Sequence, residues 1–295
     1  MIKKKRDINK ETFAYFDEQT TQFEWLAKQA LFISNRIERH ITIPRKGYAT
    51  WLFIRACIMT QSLVRLFTEQ IEGNARYIDH AAIASLARAL IENIASLLHY
   101  TDESLDDDEG WKCRQALINL HDFVNRESFL DGIGVPRPEN SDQTQQGLQK
   151  RLSETKAFKS LPAQRQNRLL KGDDMYLHGR HQAMLALGWG EGITRAAYKY
   201  LSSHAHTTPL AFIRTHENSV YEPASGASRF TAGFAVELAR RALGTGCLHM
   251  IFLFPYVELA FEPLVFASLK TQYQPGANSS SPGRNILAAQ SAESD

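Results

Sequence analysis

The sequence predicts an all-α fold, a single helical bundle followed by a disordered C-terminal tail. Apolar residues recur at helical spacing over most of the 295 residues. No segment shows the regular apolar–polar alternation of a half-buried strand. Residues 272–295 are rich in Gly, Ser, Pro and Asn, and such a segment buries too little apolar surface to offset the entropy lost on ordering. We therefore predict one helical domain over residues 1–271 and a disordered tail over 272–295.

Long helices with clear end signals are predicted at the start of the chain. The first spans residues 10–40, where phenylalanines recur at helical spacing, and Pro44 interrupts the pattern that follows. The second spans residues 50–72 and ends at Gly73-Asn74, because a Gly or Asn is typical of the position just after a helix.

Two more helices and a linker are predicted next. Asp79 is placed to cap a third helix over residues 80–101. The acidic residues 106–109 begin a fourth helix, since negative charge favours a helix N-terminus, and Gly132 ends it. The polar residues 135–147 are then predicted to form a linker.

The second half of the chain is less regular. A basic segment over residues 150–171 has the composition of a solvated helix face, although its charges would also suit phosphates. The glycines of residues 188–192 mark a turn before a helix over residues 193–204. A last helix pair is predicted over residues 229–270, with a kink or break at Pro255.

Composition excludes several classes of protein. The chain carries 34 Lys and Arg against 32 Asp and Glu, a net charge of +2, and 43% of its residues are hydrophobic. These values are ordinary for a globular protein and exclude a collagen-like, supercharged or fully disordered chain. Its three cysteines, Cys57, Cys113 and Cys247, show no CxxC or Cys/His spacing, so we predict buried thiols, no zinc site and no disulfide framework.

The predicted location is the cytoplasm. The basic residues 1–6 are not followed by an apolar segment, so no signal peptide is predicted. The most apolar stretch, residues 247–266, contains Pro255, Glu258 and Glu262, which disfavour a membrane span and favour a buried helix. We therefore expect no membrane partner.

The third predicted helix carries an unusual second face. Arg88, Glu92 and His99 lie opposite its apolar stripe, and their neighbours there are small Ala and Ser residues instead of Lys, Glu and Gln. Small residues let another helix come close, so we predict that the helix is buried on both sides. Arg88 and Glu92 are then either an ion pair that sets the register of the helices or part of a ligand or catalytic site.

Histidines concentrate in the second half, at positions His178, His181, His204, His206 and His216. Histidines that only hydrogen-bond between helices would explain the cluster. A metal site from His178, His181 and a third ligand, Asp173, Asp174, His204 or His206, is the first functional alternative, but no HExxH motif supports it and no metal is predicted.

Two catalytic alternatives also use the helix over residues 193–204. A Ser–His nucleophile pair would involve Ser202, but the sequence has no GxSxG motif. General acid–base work on RNA or a nucleotide needs an imidazole beside a cation, which Arg88, Arg195 or Lys199 could supply.

Three segments resemble blocks of a widespread bacterial family of uncharacterised all-helical proteins. They are SLARALIENIASLLHY at residues 85–100, KAFKSLPAQRQNRLLKG at 156–172 and YKYLSSHAHTTPL at 198–210, and the resemblance covers about residues 48–210. It implies an Arg-x-x-x-Glu helix and a later block that ends in a Leu-Ser pair and a histidine. The residues of interest that it implies are Arg88, Glu92, Tyr198, Ser202 and His204.

Such proteins are in turn similar to HEPN-type helical domains, which include ribonucleases of toxin–antitoxin and phage-defence systems. The HEPN signature, an Arg followed a few residues later by a His on one helix, fits Arg114 and His121, which form an alternative catalytic pair. The residue after Arg114 is Gln, where the ribonucleases often place Asn, Asp or His. Since HEPN-type domains are commonly dimeric, the resemblance also implies a homodimer.

Two functions follow as hypotheses. In the first, a HEPN-like protein acts on RNA or a nucleotide in stress or phage defence. There His204 or His121 is the acid–base group, Arg88 or Arg114 stabilises phosphate charge, and Glu92 completes the site. Tyr198, Ser202 and His206 would bind the substrate, and no cofactor is expected. In the second, the protein is a non-enzymatic helical binding or regulatory module whose buried polar residues are structural. We expect Arg88 and Glu92 to approach the His204 end of the helix over residues 193–204, where the three side chains would form one polar cleft.

Overall fold

The computed structural model describes residues 8–37, 43–68, 70–72, 75–101, 108–206, 208–209, 211, 213 and 225–273. The prediction of an all-α fold is confirmed, since nearly all of the regular structure in these residues is helical. The predicted disordered tail lies outside the described residues from position 274 onward, while Gln272 and Tyr273 belong to the last helix.

The described elements follow one another with short connections. In chain order they are α1 (Ile8–Ile37), α2 (Pro44–Arg65), β1 (Gln70–Glu72), β2 (Ala75–Tyr77), α3 (His80–Thr101), α4 (Asp108–Gly132), α5 (Ser141–Glu154), α6 (Lys156–Lys159), α7 (Ala163–Leu170), α8 (Arg180–Leu185), α9 (Glu191–Ala205), α10 (Gly226–Leu253), a 3₁₀ helix (Pro255–Ala260) and α11 (Pro263–Tyr273). The chain divides into two compact units, residues 1–98 with 185–295 and residues 99–184.

The first unit is organised around α10, whose small residues let other helices come close. A Cβ added at Gly233 would lie 3.0 Å from the ring of Tyr15 on α1. One added at Gly246 would lie 2.6 Å from Ile94 on α3. Side chains larger than glycine would push these helices apart, so α10 is the surface on which the unit assembles.

An ion pair is buried in α10 beside α1. Arg241 and Glu237 are bonded at 2.5 Å, and their side chains are 7% and 8% exposed. Tyr15 of α1 donates a hydrogen bond to the second carboxylate oxygen of Glu237 at 2.5 Å. Burial, with the neighbouring carboxylate, raises the pKa of Tyr15 well above its usual value, so the hydroxyl remains a donor. These bonds satisfy charges that would otherwise be costly to bury.

The second unit has its own apolar core between α4 and the short helices that follow. Its members are Cys113, Ala116, Leu117, Leu120, Leu152, Phe158, Leu161, Leu169 and Leu177. The predicted linker over residues 135–147 is wrong in its second half, because α5 begins at Ser141. Ser141 is buried and donates a hydrogen bond to the buried Glu127 at 3.0 Å. The mostly polar sequence did not predict this helix, because it packs on the core through only one face, at Leu148 and Leu152.

The second helix and the segment after it differ from the prediction. The structure places α2 at Pro44–Arg65 instead of residues 50–72, with Pro44 in its first turn, where proline costs no hydrogen bond. Residues 70–72 and 75–77 then pair as a short antiparallel hairpin, with Gln70 opposite Tyr77. The Gly-Asn dipeptide between them lies outside the described residues, but it is as typical of a hairpin as of a helix end.

The limits of α3 and the break at Pro255 agree with the sequence. Helix α3 begins and ends at the predicted residues, 80 and 101. Asp79 caps its N-terminus, since its carboxylate accepts a hydrogen bond from the Ala82 amide at 2.9 Å. The break at Pro255 is confirmed, since α10 ends at Leu253 and a 3₁₀ helix follows. All three cysteines are free and buried, as predicted.

One described helix, α3, is long and apolar enough to cross a membrane by length and composition. In its most apolar window 61% of the residues are buried inside the protein. The core helix of a soluble protein meets the same criteria, so α3 is weak evidence of a span. The apolar stretch over residues 247–266 is divided between α10, the 3₁₀ helix and α11.

The close approach of α10 and α11 gives a stability test. A Cβ at Gly244 would lie 2.3 Å from the ring of Tyr273. We expect Gly244→Ala to lower the free energy of unfolding by about 1–3 kcal/mol, measured by urea titration, because the ring must move. Gly147→Ala on α5 is the control, because nothing lies within 4 Å of its added Cβ, and we expect a gain of up to about 1 kcal/mol from helix propensity. Equal effects of the two changes would contradict this packing.

Candidate functional site

Arg88 and Glu92 form an ion pair one turn apart on α3. Arg88 Nε donates to Glu92 Oε1 at 3.0 Å, and the two side chains are 14% and 28% exposed. The small neighbours that the sequence singled out, Ala84 and Ala95, are buried. The pair is therefore partly shielded from water, neither sealed from it nor fully solvated.

The rest of the Arg88 guanidinium is directed at α9 and the residue that follows it. Arg88 Nη2 donates to the hydroxyl of Tyr198 at 3.1 Å, and the guanidinium lies 5.0 Å from the centre of that ring. Arg88 Nη1 lies 2.9 Å from Nε2 of His206. The structure thus brings Arg88 to the C-terminal end of α9, as the sequence predicted. We call Arg88, Glu92, Tyr198 and His206 the Arg88 cluster.

The local structure explains why His206 reaches this position. Gly190, at φ 77°, makes the turn that begins α9, and the hydroxyl of Thr194 bonds back to its carbonyl oxygen at 2.7 Å. At the other end α9 stops at Ala205, four residues before Pro209, and the His206 amide donates to the Ser202 carbonyl oxygen at 3.0 Å. His206 therefore follows the last turn of the helix, with its side chain exposed.

The contact between Arg88 and His206 constrains which ring nitrogen is the acceptor. A guanidinium can only donate hydrogen bonds, so Nε2 of His206 must be the acceptor at 2.9 Å. The contact therefore suits the tautomer that carries its hydrogen on Nδ1. A neutral imidazole with an acceptor nitrogen beside a cation is the pair of groups that acid–base work on a phosphate requires.

His204 occupies different surroundings from His206. Its ring packs edge-to-face on His80 at 5.7 Å between centres and on Tyr200 at 5.0 Å. Its Nδ1 atom is buried and has no hydrogen-bond partner among the described residues. Burial and then the charge of His80 lower the pKa of His204 to about 4. At neutral pH His204 is thus an uncharged ring in an aromatic setting, and Arg88 bonds His206 in its place.

The sequence pointed to Ser202 and missed His80. Within the part of the chain that the structure describes, the buried hydroxyl of Ser202 has no hydrogen-bond partner, and it is not paired with a histidine as a nucleophile would be. His80 begins α3 and is buried, and burial lowers its pKa. No sequence signal linked His80 to His204, because their contact depends on how α3 packs on α9.

The other predicted histidines and the alternative pair lie elsewhere. His178 and His181 are exposed in the second unit, and His216 lies outside the described residues. No group of three or more His, Cys, Asp or Glu residues that could hold a metal occurs among the described residues. On α4 Arg114 is buried, and His121 follows it seven positions later, about 10 Å further along the helix axis. Burial lowers the pKa of His121, while the charges of Asp174 and Asp122 oppose that shift.

Comparison of the chain with known protein families, with curated proteins and with solved structures finds no match. The resemblance to a bacterial all-helical family and to HEPN-type domains therefore stays a prediction. The site has to be interpreted from its own chemistry.

A double-mutant cycle tests the Arg88–Glu92 bond. We expect Arg88→Gln and Glu92→Gln to couple by about 0.5 kcal/mol in the free energy of unfolding, because the pair is largely shielded from water. The pair Glu191 and Arg195 on α9 is the control, since it has the same spacing but is 65% and 72% exposed, and its coupling should be close to zero. Purely additive effects of the Arg88 and Glu92 changes would contradict the pairing.

The buried ring of His204 predicts a pH dependence of stability. The unfolded chain protonates this histidine below pH 6.5, whereas the folded chain resists protonation down to about pH 4. The contribution of neutral His204 to stability is therefore complete above pH 6.5 and is lost as the pH falls towards 4. We expect His204→Phe to flatten the fall of Tm over this range, whereas His181→Phe, at an exposed position, should keep the wild-type slope. Parallel Tm profiles for all three proteins would refute the assignment.

Proposed function

We propose that the Arg88 cluster is a phosphate-binding site that acts on RNA or a nucleotide. The observation that carries the proposal is the 2.9 Å contact between Arg88 Nη1 and His206 Nε2 at the exposed end of α9. A cation and an imidazole that accepts a hydrogen bond from it, with the imidazole exposed to solvent, suit the binding and proton transfer that a phosphodiester needs.

The chemistry of the neighbouring residues supports this substrate class. The planar fork of a guanidinium pairs with two phosphate oxygens at once. Glu92 holds Nε of Arg88, which leaves both terminal nitrogens directed toward the end of α9. Tyr198 adds an aromatic ring beside the cation, and aromatic rings stack with the bases of single-stranded RNA.

A cleavage step can be written with these groups alone. A phosphate oxygen takes the place of Nε2 as acceptor from Arg88, and the freed Nε2 of His206 accepts the proton of the ribose 2′-hydroxyl. The 2′-oxygen then attacks phosphorus and the bond to the 5′-oxygen breaks. His206 returns the proton to that 5′-oxygen, which leaves a 2′,3′-cyclic phosphate and a 5′-hydroxyl. Arg88 stabilises the charge that develops on the phosphate.

The resemblance to HEPN-type ribonucleases points to the same substrate. It would place the protein in the cytoplasm, in stress or phage defence. The residue that carries the acid–base role in this proposal is His206, whereas the resemblance directs attention to His204. The burial of His204 and the lowering of its pKa to about 4 argue for His206.

One observation favours a non-enzymatic alternative. All three contacts of Arg88 are made with protein groups, and two of them, to Tyr198 and His206, join α3 to the end of α9. A pair of helices held in this way is also what a binding or regulatory module would need. In that case removal of Arg88 would change the stability of the protein, and there would be no catalytic activity for it to affect.

Incubation with RNA distinguishes these functions. Purified wild-type protein is mixed with total RNA and with a 5′-labelled single-stranded oligonucleotide, and products are resolved on denaturing gels. We expect His206→Ala and Arg88→Ala to reduce cleavage at least about a hundredfold, the usual contribution of an acid–base group. His178→Ala is the matched control at an exposed position. Products should carry a cyclic phosphate, seen as a mobility shift after acid treatment and phosphatase.

Residual cleavage that is equal in wild type and both variants would indicate a contaminating nuclease and would exclude the enzymatic proposal. Loss of Tm in Arg88→Ala without any cleavage by wild type would favour the structural role. Arg88→Lys keeps the positive charge but loses the planar guanidinium. This variant should therefore still bind RNA, but its cleavage of RNA should be much slower.

A further inference from the structure

One face of α2 is apolar, basic and uncovered among the described residues. Trp51, Ile54 and Ile58 recur at helical spacing and are 63%, 42% and 63% exposed. Arg55 and Arg65 are exposed on the same side, and α2 contains no carboxylate. The opposite side of the helix is buried at Phe53, Ala56, Thr60 and Leu63. We call the exposed residues, Trp51, Ile54, Arg55, Ile58 and Arg65, the basic face.

A second apolar surface carries the opposite charge. Leu259 of the 3₁₀ helix and Leu264 of α11 are 87% and 85% exposed, the highest values among the large apolar residues that the structure describes. The exposed carboxylates of Glu258 and Glu262 stand next to them, and no cation occurs between Pro255 and Leu269. We call Glu258, Leu259, Glu262 and Leu264 the acidic face.

The two faces belong to one end of the first unit. The amino group of Lys46, in the first turn of α2, lies 5.2 Å from the ring centre of Phe254, the residue before the 3₁₀ helix. The hydroxyl of Tyr256 in that helix donates to the carbonyl oxygen of Ile37, at the end of α1, at 2.7 Å. The first turn of α2, which precedes the basic face, is therefore close to the start of the 3₁₀ helix, which carries the first residues of the acidic face.

Exposed apolar groups of this size are unusual in a monomer, because contiguous apolar surface usually marks an interface. We propose that a second copy of this chain covers both faces, with the basic face of each copy on the acidic face of the other. Two such contacts, related by a twofold axis, bury the tryptophan, isoleucines and leucines and pair arginine with glutamate. Like an isologous dimer interface, the combined surface is complementary to itself.

Charge argues against the other occupants. Two α2 helices packed on each other would bring Arg55 and Arg65 of both copies together with no carboxylate to pair them. An anionic lipid surface would suit the basic face, but it would repel the exposed Glu258 and Glu262 and so leave the acidic face uncovered. The second copy supplies the opposite charge to both faces at once.

Charge reversal tests the dimer by sedimentation velocity across a range of protein concentrations. Arg55→Glu/Arg65→Glu makes both faces acidic, and Glu258→Arg/Glu262→Arg makes both basic. We expect each double variant to weaken self-association at least tenfold and to sediment as a monomer. An equimolar mixture of the two variants should dimerise again, since each basic face then meets an acidic face.

A second pair of variants checks that the apolar groups contribute. Leu259→Ser/Leu264→Ser leaves every charge in place and should also weaken association at least tenfold. Arg168→Glu/Glu139→Arg reverses two exposed charges in the second unit and should dimerise like wild type. All variants are compared at equal helicity by circular dichroism, so that unfolding is not counted as dissociation.

A wild-type protein that stays monomeric at every concentration would overturn the proposal. So would a mixture of the two charge-reversed variants that remains monomeric. Flotation of monomeric wild type with vesicles of phosphatidylglycerol and phosphatidylcholine, lost in Arg55→Glu/Arg65→Glu, would assign the basic face to an anionic lipid surface and likewise exclude the dimer. None of these variants touches the Arg88 cluster, so the outcome is independent of the proposed RNA activity.

Discussion

The close packing of neighbouring helices on α10 is the constraint on which the first unit depends. Gly246 lets α3 approach at Ile94, and Phe234 makes an edge-to-face contact with Tyr200 of α9 at 5.1 Å between ring centres. Helices α3 and α9 thus both pack against α10. Their relative position brings Arg88 and His206 within hydrogen-bonding distance, although 118 residues separate them in the chain.

The site itself combines two environments on one short helix end. His206 is exposed and accepts from a cation, so its imidazole is positioned for proton transfer. His204, two residues earlier, is enclosed by His80 and Tyr200, and burial lowers its pKa to about 4. The two histidines are two residues apart, and their surroundings separate their chemistry, because His204 lies in the last turn of α9 whereas His206 follows its end. The buried ring packs against the end of the helix, whereas the exposed ring is accessible to solvent.

The proposed dimer surfaces are independent of that site but follow the same physical rule. A helix that is apolar on both sides must bury both to be stable in water. The inner side of α2 is buried within its own unit, whereas Trp51 and Ile58 are each 63% exposed. The arginines on that outer side and the glutamates next to Leu259 add positive and negative charge to these apolar surfaces. Only a partner with complementary charges can then bind them.

The sequence by itself determined the helical class, the limits of α3, the break at Pro255, the burial of the cysteines and the unusual Arg88–Glu92 face. These features depend on local periodicity, on proline geometry and on side-chain size, which neighbouring residues specify. It did not determine α5, the hairpin after α2, or the choice of His206 over His204 as the partner of Arg88. A polar helix forms only because a distant core accepts one of its faces. Two histidines two residues apart are distinguished by what packs against the last turn of α9 and against the residue that follows it. Those contacts join residues far apart in the chain, so only the tertiary structure could decide them.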